Sequence, residues 1–194
     1  TRPETMLGDT GVAVHPDDER YRALVGQEVE LPLTGRRIPI VADTFVDPAF
    51  GTGVVKVTPA HDFNDYECSQ RCGLPAIQVI DADGKMCAPA PAAYVGLTVD
   101  QCRKQIVADL EAAGFLGLVK DHAVPRGRSQ RSGAVVEPML MEQWFVKTEP
   151  LAAPAIAAVE SGKTKFVPEL WTKTYMHWMT NIKDWCISRQ LWWG

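Results

Sequence analysis

Residues 51–66, GTGVVKVTPAHDFNDY, constrain the fold of this chain more than any other stretch. Val54, Val55 and Val57 are β-branched and follow a Gly-Thr-Gly turn, a pattern that predicts a short strand. Lys56 and Thr58 are two apart, so both side chains leave the same face of that strand. Pro59 ends it, because proline has no N–H to give to a ladder. His61, Asp62 and Asp65 then fall on the start of a predicted helix, and their spacing places both carboxylates on one helical face. One ammonium, one hydroxyl and two carboxylates thus meet at a strand-to-helix corner. These residues alone leave two readings open. Asp62 is an N-cap and Lys56 with Asp65 an ordinary ion pair, or the corner is a polar binding site.

The rest of the sequence sets limits on both. At 194 residues the chain can bury one well-packed domain with an appendage. No apolar run is long enough to span a bilayer, and the first residues do not form a signal peptide. The abrupt start at Thr1 is expected of a fragment of something longer. The five cysteines are odd in number and form no C-x-x-C pair, which disfavours a disulfide framework and fits a reducing cytoplasm. Cys68 and Cys72 are one helical turn apart, as packing residues would be. A net charge of −4 announces no nucleic-acid partner, so any RNA contact needs a local patch. Arg36 with Arg37, and Arg126 with Arg128 and Arg131, are the candidates, and each also fits a solvated loop.

Alternation at Val12 and Val14 predicts a strand, followed by a short helix over residues 17–24. Residues 28–33 and 38–41, joined by Thr34-Gly35-Arg36-Arg37, predict a β-hairpin. Strands are also expected at residues 76–80, 115–119 and 123–124. The run DADGK at residues 81–85 lacks the later acidic ligands of a calcium loop and is a turn. Residues 98–114 predict an amphipathic helix, with Thr98 as N-cap, an apolar stripe from Val99 to Leu110, and Gly114 at the C-terminal end. From Thr148 the character changes to an Ala-rich helix with Pro150 and Pro154 near its start. Trp171, Trp178, Trp185 and Trp192 then recur every seven residues, which would line one side of a helix.

Three blocks carry a resemblance: TRPET with VHPDDERY (1–5 and 14–21), GTGVVKVTPAHDFNDYE (51–67), and EPML–QWF through DWCISRQLWWG (137–194). The chain resembles the editing domain of valyl-tRNA synthetases, the insertion called the connective polypeptide, over essentially its whole length. The isoleucyl and leucyl versions keep the glycine pair and second aspartate but differ around Lys56 and Thr58. Gly11 stands where alanine is expected. Some relatives place a C-x-x-C zinc knuckle where this chain has Ser129 and Ser132, so no structural metal is predicted. GxxxxGK, G-x-G-x-x-G, HIGH-type and KMSKS-type motifs are absent, and the chain is not expected to activate an amino acid.

The resemblance implies a mainly β, α+β fold with a β-barrel-like core and peripheral helices. It implies an editing core over residues 1–131, and over 132–194 a connector and return arm towards the catalytic domain. The implied activity is hydrolysis of the ester of threonyl-tRNA(Val) by water, without metal or cofactor; ATP and magnesium belong to the synthetic domain. A hydrophobic synthetic pocket cannot strongly reject an isostere that adds a hydroxyl, so a second, polar pocket must remove it. By resemblance, Asp65 holds the α-ammonium and with Lys56 positions the water, while Lys56, Thr58 and Asp62 surround the threonine side chain. Phe50 limits the pocket. Arg2 reaches the ester or terminal phosphate, and Thr1 and Glu4 belong to the loop forming one wall. The implied partners are the tRNA(Val) acceptor end and the rest of the synthetase, with no membrane, in a cytoplasmic monomer. A non-catalytic tRNA-binding module and an isoleucyl-type editor of valyl-tRNA are the alternatives.

Overall fold

The computed structural model describes residues 2–120 and 127–189. The chain divides into two compact units, Thr1–Leu140 and Met141–Gly194. The first is built on a four-stranded mixed sheet in the order β2-β3-β1-β4, formed by β1 (Gly11–Val14), β2 (Glu28–Leu31), β3 (Arg36–Ala42) and β4 (Val54–Val57). The β2–β3 hairpin expected from the sequence is antiparallel, with Leu31 opposite Arg36. Central β1 runs parallel to β3 and antiparallel to β4, and this second pairing sets Val12 opposite Lys56 and Gly11 opposite Val57. Helix α1 (Phe63–Cys72) packs against β4. Ala13, Val46, Val57, Cys68 and Leu74 form the apolar cluster between them.

A second cluster joins Leu7 of a 3-10 helix, Pro3–Gly8, to Val79, Ile80, Met86 and Tyr94, and to Cys102 and Ile106 of helix α2 (Val99–Ala112). Helix α2 begins as its sequence predicts. The Thr98 hydroxyl accepts from the Gln101 N–H, and the Gln101 side chain accepts from the Thr98 N–H, a reciprocal capping box.

The fold is mixed α/β rather than mainly β, and no closed barrel forms among the described residues. The barrel expected from the sequence needed residues 76–80 and 115–119 as strands. The first contributes only an isolated bridge, Ile80 to Met86, and the second has no strand pairing. Prolines 75, 89 and 91 remove ladder donors from this part of the chain. It closes instead through local bonds, such as Met86 N–H to Leu97 O and Cys87 N–H to Val79 O. Residues 123–124 lie outside the described residues. The expected helix at 17–24 is turns followed by one 3-10 turn, Arg22–Leu24.

In the second unit, helices α3 (Glu149–Glu160) and α4 (Trp171–Thr180) contact each other, and β5 (Phe145–Val146) pairs with β6 (Trp185–Cys186). The seven-residue tryptophan repeat does not lie on one helix. Trp171 and Trp178 are on α4, Trp185 is on β6, and Trp192 is outside the described residues. The helix stops because the Asn181 side chain donates to His177 O at 2.7 Å, competing for a carbonyl that a further turn would use.

Candidate functional site

The strand-to-helix corner is built from backbone requirements. Gly53 has φ +76°, and a Cβ there would lie 2.6 Å from Arg20 Nη2, so the turn into β4 needs glycine. The turn is tied down by Arg20, which donates to Pro48 O at 2.8 Å, and by the Tyr21 hydroxyl, which donates to Thr52 O at 2.8 Å. At the far end of β4, Asp62 is the N-cap of α1. Its carboxylate accepts the N–H groups of Asn64 and Asp65 at 2.9 and 3.2 Å. The capping reading of Asp62 is therefore the observed one, and this cap fixes where Asp65 emerges.

A cleft of about 730 Å³ opens over this corner. Arg2, Phe50, Lys56, Asp62 and Asp65, all singled out from the sequence, line it together with Thr5, Phe45, Asp47, His61 and Leu118. Phe50 is at its exposed edge. Thr58 and Glu4 are buried outside the lining, and Thr1 lies outside the described residues.

Lys56 is the centre of the polar cluster. Its ammonium donates to Thr58 Oγ1 at 2.6 Å, Thr5 Oγ1 at 2.9 Å and Asp9 Oδ1 at 3.2 Å, while the Thr58 hydroxyl donates to Asp9. Lys56 and Thr58 do leave one face, as their spacing predicts, but the partner they share is Asp9 rather than Asp65. Sequence reasoning missed Asp9. Its place follows from the β1–β4 register, in which Thr10 N–H bonds Val57 O and brings residue 9 beside residue 58. Burial raises the Asp9 pKa above the ordinary aspartate value, against the opposing pull of Lys56 and Thr58.

Asp65 stands over the same cluster from the helix side. Its Oδ2 accepts the Thr58 N–H at 2.8 Å, closing the corner between strand and helix. Burial is the main cause that raises its pKa to about 6. Asp62 and Asp9 push the same way, and the Thr58 N–H and Lys56 oppose them.

His61 is fully committed to structure. Its Nε2 accepts the Val79 N–H at 2.9 Å, which puts the proton on Nδ1, and Nδ1 donates to Pro138 O at 3.1 Å. Burial lowers its pKa below the ordinary histidine value. Glu4 is buried beneath Arg2 and accepts two bonds from Arg103 at 2.8 and 2.9 Å and one from Arg2 Nε at 2.9 Å. Burial alone would raise its pKa, but these guanidinium bonds and its own backbone bond bring it down to about 2. Glu4 is thus an anchor between the Pro3–Gly8 turn and α2.

Of the other charged candidates, Arg126 lies outside the described residues and three are engaged elsewhere. Arg36 donates to Leu7 O, Arg37 to Glu28, and Arg128 to Gly133 O. Ser132 N–H bonds Ser129 Oγ at 3.3 Å in a turn. Asp43, Cys68 and Cys72 bring potential ligand atoms within 4.8 Å of one another. Arg71 already bonds both oxygens of Asp43, at 2.7 and 3.1 Å, so the group stands as an ion pair against two thiols.

A polar, lysine-centred cleft on an open mixed sheet is a site on an α/β scaffold, and the sequence says to which family it belongs. The family model of class I tRNA synthetases (I, L, M and V) matches residues 4–194, and the chain belongs to that family. It is 59% identical over 194 residues to the valine–tRNA ligase of Symbiobacterium thermophilum and 54% identical to that of Coxiella burnetii. Over 195 residues it is 58% identical to the valine–tRNA ligase of Geobacillus stearothermophilus. In each case 100% of this chain is covered, and the chain spans only 21% or 22% of the relative. The crystal structure of GlLeuRS-CP1 superposes with a TM-score of 0.49 at 14% identity, over 64% of this chain and 82% of that one.

Proposed function

We propose that this chain is the editing segment of a valine–tRNA ligase and that it hydrolyses the ester of threonyl-tRNA(Val). The observation that carries this reading is the polar floor of the cleft. A fixed ammonium shared by Asp9, Thr5 and Thr58 suits a side chain bearing a hydroxyl. Threonine replaces lost water contacts there, whereas valine leaves buried polar groups unpaired at about 1–3 kcal/mol.

In this reading Asp65, ionised above pH 6, holds the α-ammonium of the substrate and fixes the ester. Lys56 faces the threonine side chain as a fixed charge, its three N–H groups being taken by Thr5, Thr58 and Asp9, and the Thr5 Oγ1 it holds is the acceptor in the lining that meets the threonine hydroxyl. Thr58 and Asp9 hold Lys56 from below, Asp62 shapes the wall through its cap, and Phe50 borders the mouth. Arg2 meets the ester or a phosphate of the terminal adenosine. No side chain is assigned as nucleophile, since His61 uses both ring nitrogens in structural bonds. Water attacks, placed by Asp65, Lys56 and a ribose hydroxyl of the tRNA. The partners are the tRNA(Val) acceptor end and the remainder of the ligase, in the cytoplasm. The second unit is the return arm, and its exposed Trp171, Trp178 and Trp185 form the surface that the catalytic body covers.

The test is hydrolysis of threonyl-tRNA(Val) and valyl-tRNA(Val), with and without EDTA, by this chain and by a full-length ligase carrying it. Fast loss of threonine with valine spared and no chelator effect is expected. Equal loss of both esters, or none above the buffer rate in either setting, would overturn the reading. The exposed tryptophans favour one other function, stacking on single-stranded RNA. That function predicts salt-sensitive tRNA binding with no hydrolysis.

A further inference from the structure

The segment after Ala134 returns to the cleft at two adjacent residues. Pro138 O accepts the His61 Nδ1–H at 3.1 Å, and the Glu137 carboxylate accepts from Arg2 Nη2. The first contact pins the backbone to the strand-to-helix corner, so the second is delivered from a fixed point rather than from a free loop. Glu137 and Arg2 are both only partly exposed, with 22% and 32% of their side-chain surface accessible.

Arg2 has two carboxylates beside it, and they are not equivalent. Glu4 is already bonded by both Nε and Nη2 of Arg103, so its charge is matched without Arg2. Glu137 has Arg2 as its only ion-pair partner among the described residues. The pair also leaves Arg2 with donors to spare. Nε faces Glu4 and Nη2 faces Glu137, while Nη1 has no partner among the described residues. A guanidinium is planar, so bonding Nε and Nη2 to two anchored carboxylates sets the plane and the direction of the remaining N–H groups. Arg2 lines the cleft, and those remaining donors are the ones a substrate oxygen can use.

We infer that Glu137 is a positioning residue for the cleft: held in place by the His61–Pro138 bond, it orients Arg2 so that the free guanidinium edge meets an anionic or carbonyl oxygen of the substrate. The inference rests on the editing reading above. Glu137 touches no substrate itself. Its effect passes through Arg2, and so disappears when Arg2 is absent.

The experiment is a double-mutant cycle in a full-length ligase carrying this chain. Deacylation of threonyl-tRNA(Val) by the unmodified protein is measured first, and its absence would count against the editing reading rather than against Glu137. Glu137→Ala is expected to lower kcat/KM about tenfold, the size of one charge-assisted hydrogen bond, with an unchanged melting temperature. Glu137→Gln keeps an acceptor and the side-chain shape and is expected to lose less. In an Arg2→Ala background the further change Glu137→Ala is expected to alter nothing. Where Arg2→Ala abolishes turnover, the same cycle is read as the Kd of threonyl-adenosine 5′-phosphate joined by a non-hydrolysable amide, which carries both kinds of oxygen. An effect of Glu137→Ala below twofold, or one of undiminished size without Arg2, would overturn the inference.

Discussion

Two buried carboxylates on this chain show how partners decide whether burial is left to raise a pKa. Glu4 and Asp65 are both desolvated, yet guanidinium bonds bring Glu4 down to about 2, whereas Asp65 rises to about 6 with one backbone N–H as its closest donor. The functional consequence falls on Asp65. If its carboxylate holds the substrate ammonium, kcat/KM for threonyl-tRNA hydrolysis rises with pH through about 6 and falls again as the α-ammonium loses its proton towards about pH 8, once the uncatalysed rate is subtracted. The Asp65→Asn variant lacks the rising limb, and a profile of unchanged shape in the variant would assign that limb elsewhere. The stability consequences have opposite signs. Glu4, depressed when folded, stabilises the protein above its ordinary value of 4.5, and this is lost as pH falls towards 2. Asp65, raised when folded, binds its proton more tightly in the folded state, so its contribution weakens as pH climbs from 3.8 through about 6. Glu4→Gln leaves Arg103 facing a neutral amide and is expected to cost about 3 kcal/mol at pH 7 by denaturant titration. Asp9→Asn removes the charged acceptor of Lys56 and Thr58. It is expected to slow threonine removal about tenfold while the chain remains folded, as followed by deacylation and circular dichroism.

At the scale of elements, the corner depends on where α1 starts. Asp62 sets that start through two N–H groups, and Asp65 inherits its position from it. Asp62→Ala is expected to cost about 1 kcal/mol of stability. Hydrolysis should fall by more than the lost cap alone implies, because Asp65 moves with the frayed turn; a full-rate variant with the lower melting temperature would separate the two. This cap was legible in the sequence, as were β4, the β2–β3 hairpin and Thr98 as an N-cap, because each rests on residues close in the chain. The clustering of Lys56 and Thr58 was legible for the same reason. Asp9 and Glu137 were not. Asp9 reaches Lys56 only through the β1–β4 register, and Glu137 reaches Arg2 over a sequence separation of 135. The barrel implied by the resemblance does not form among the described residues because residues 76–80 give only one bridge, and a short apolar run says nothing about whether an edge strand stands ready to pair with it. The tryptophan repeat misled because a seven-residue spacing carries no record of the Asn181 stop.

For the whole molecule, the two units differ in what can hold them together. The first has two apolar clusters and the Glu4–Arg103 anchor. In the second, the only buried residues among those described are Thr148 and Ala152, while Trp144, Val167, Trp171 and Trp178 are all more than half exposed. A segment of that size with so little burial cannot offset its own chain entropy by much. Removing everything after Leu140 should therefore leave the main unfolding transition in place, within about 2 °C by calorimetry. The longer chain should show, in addition, an earlier and weaker transition of low heat. Removing everything after Arg131 is a different cut, because it takes Glu137 and Pro138 and with them the bonds to Arg2 and His61. That shorter chain is expected to bind the amide-linked threonyl-adenosine 5′-phosphate about tenfold more weakly than the chain ending at Leu140. Equal affinity of the two would mean that the cleft is complete without the returning segment. A main transition lost on cutting after Leu140 would mean that the first unit depends on the second for its fold.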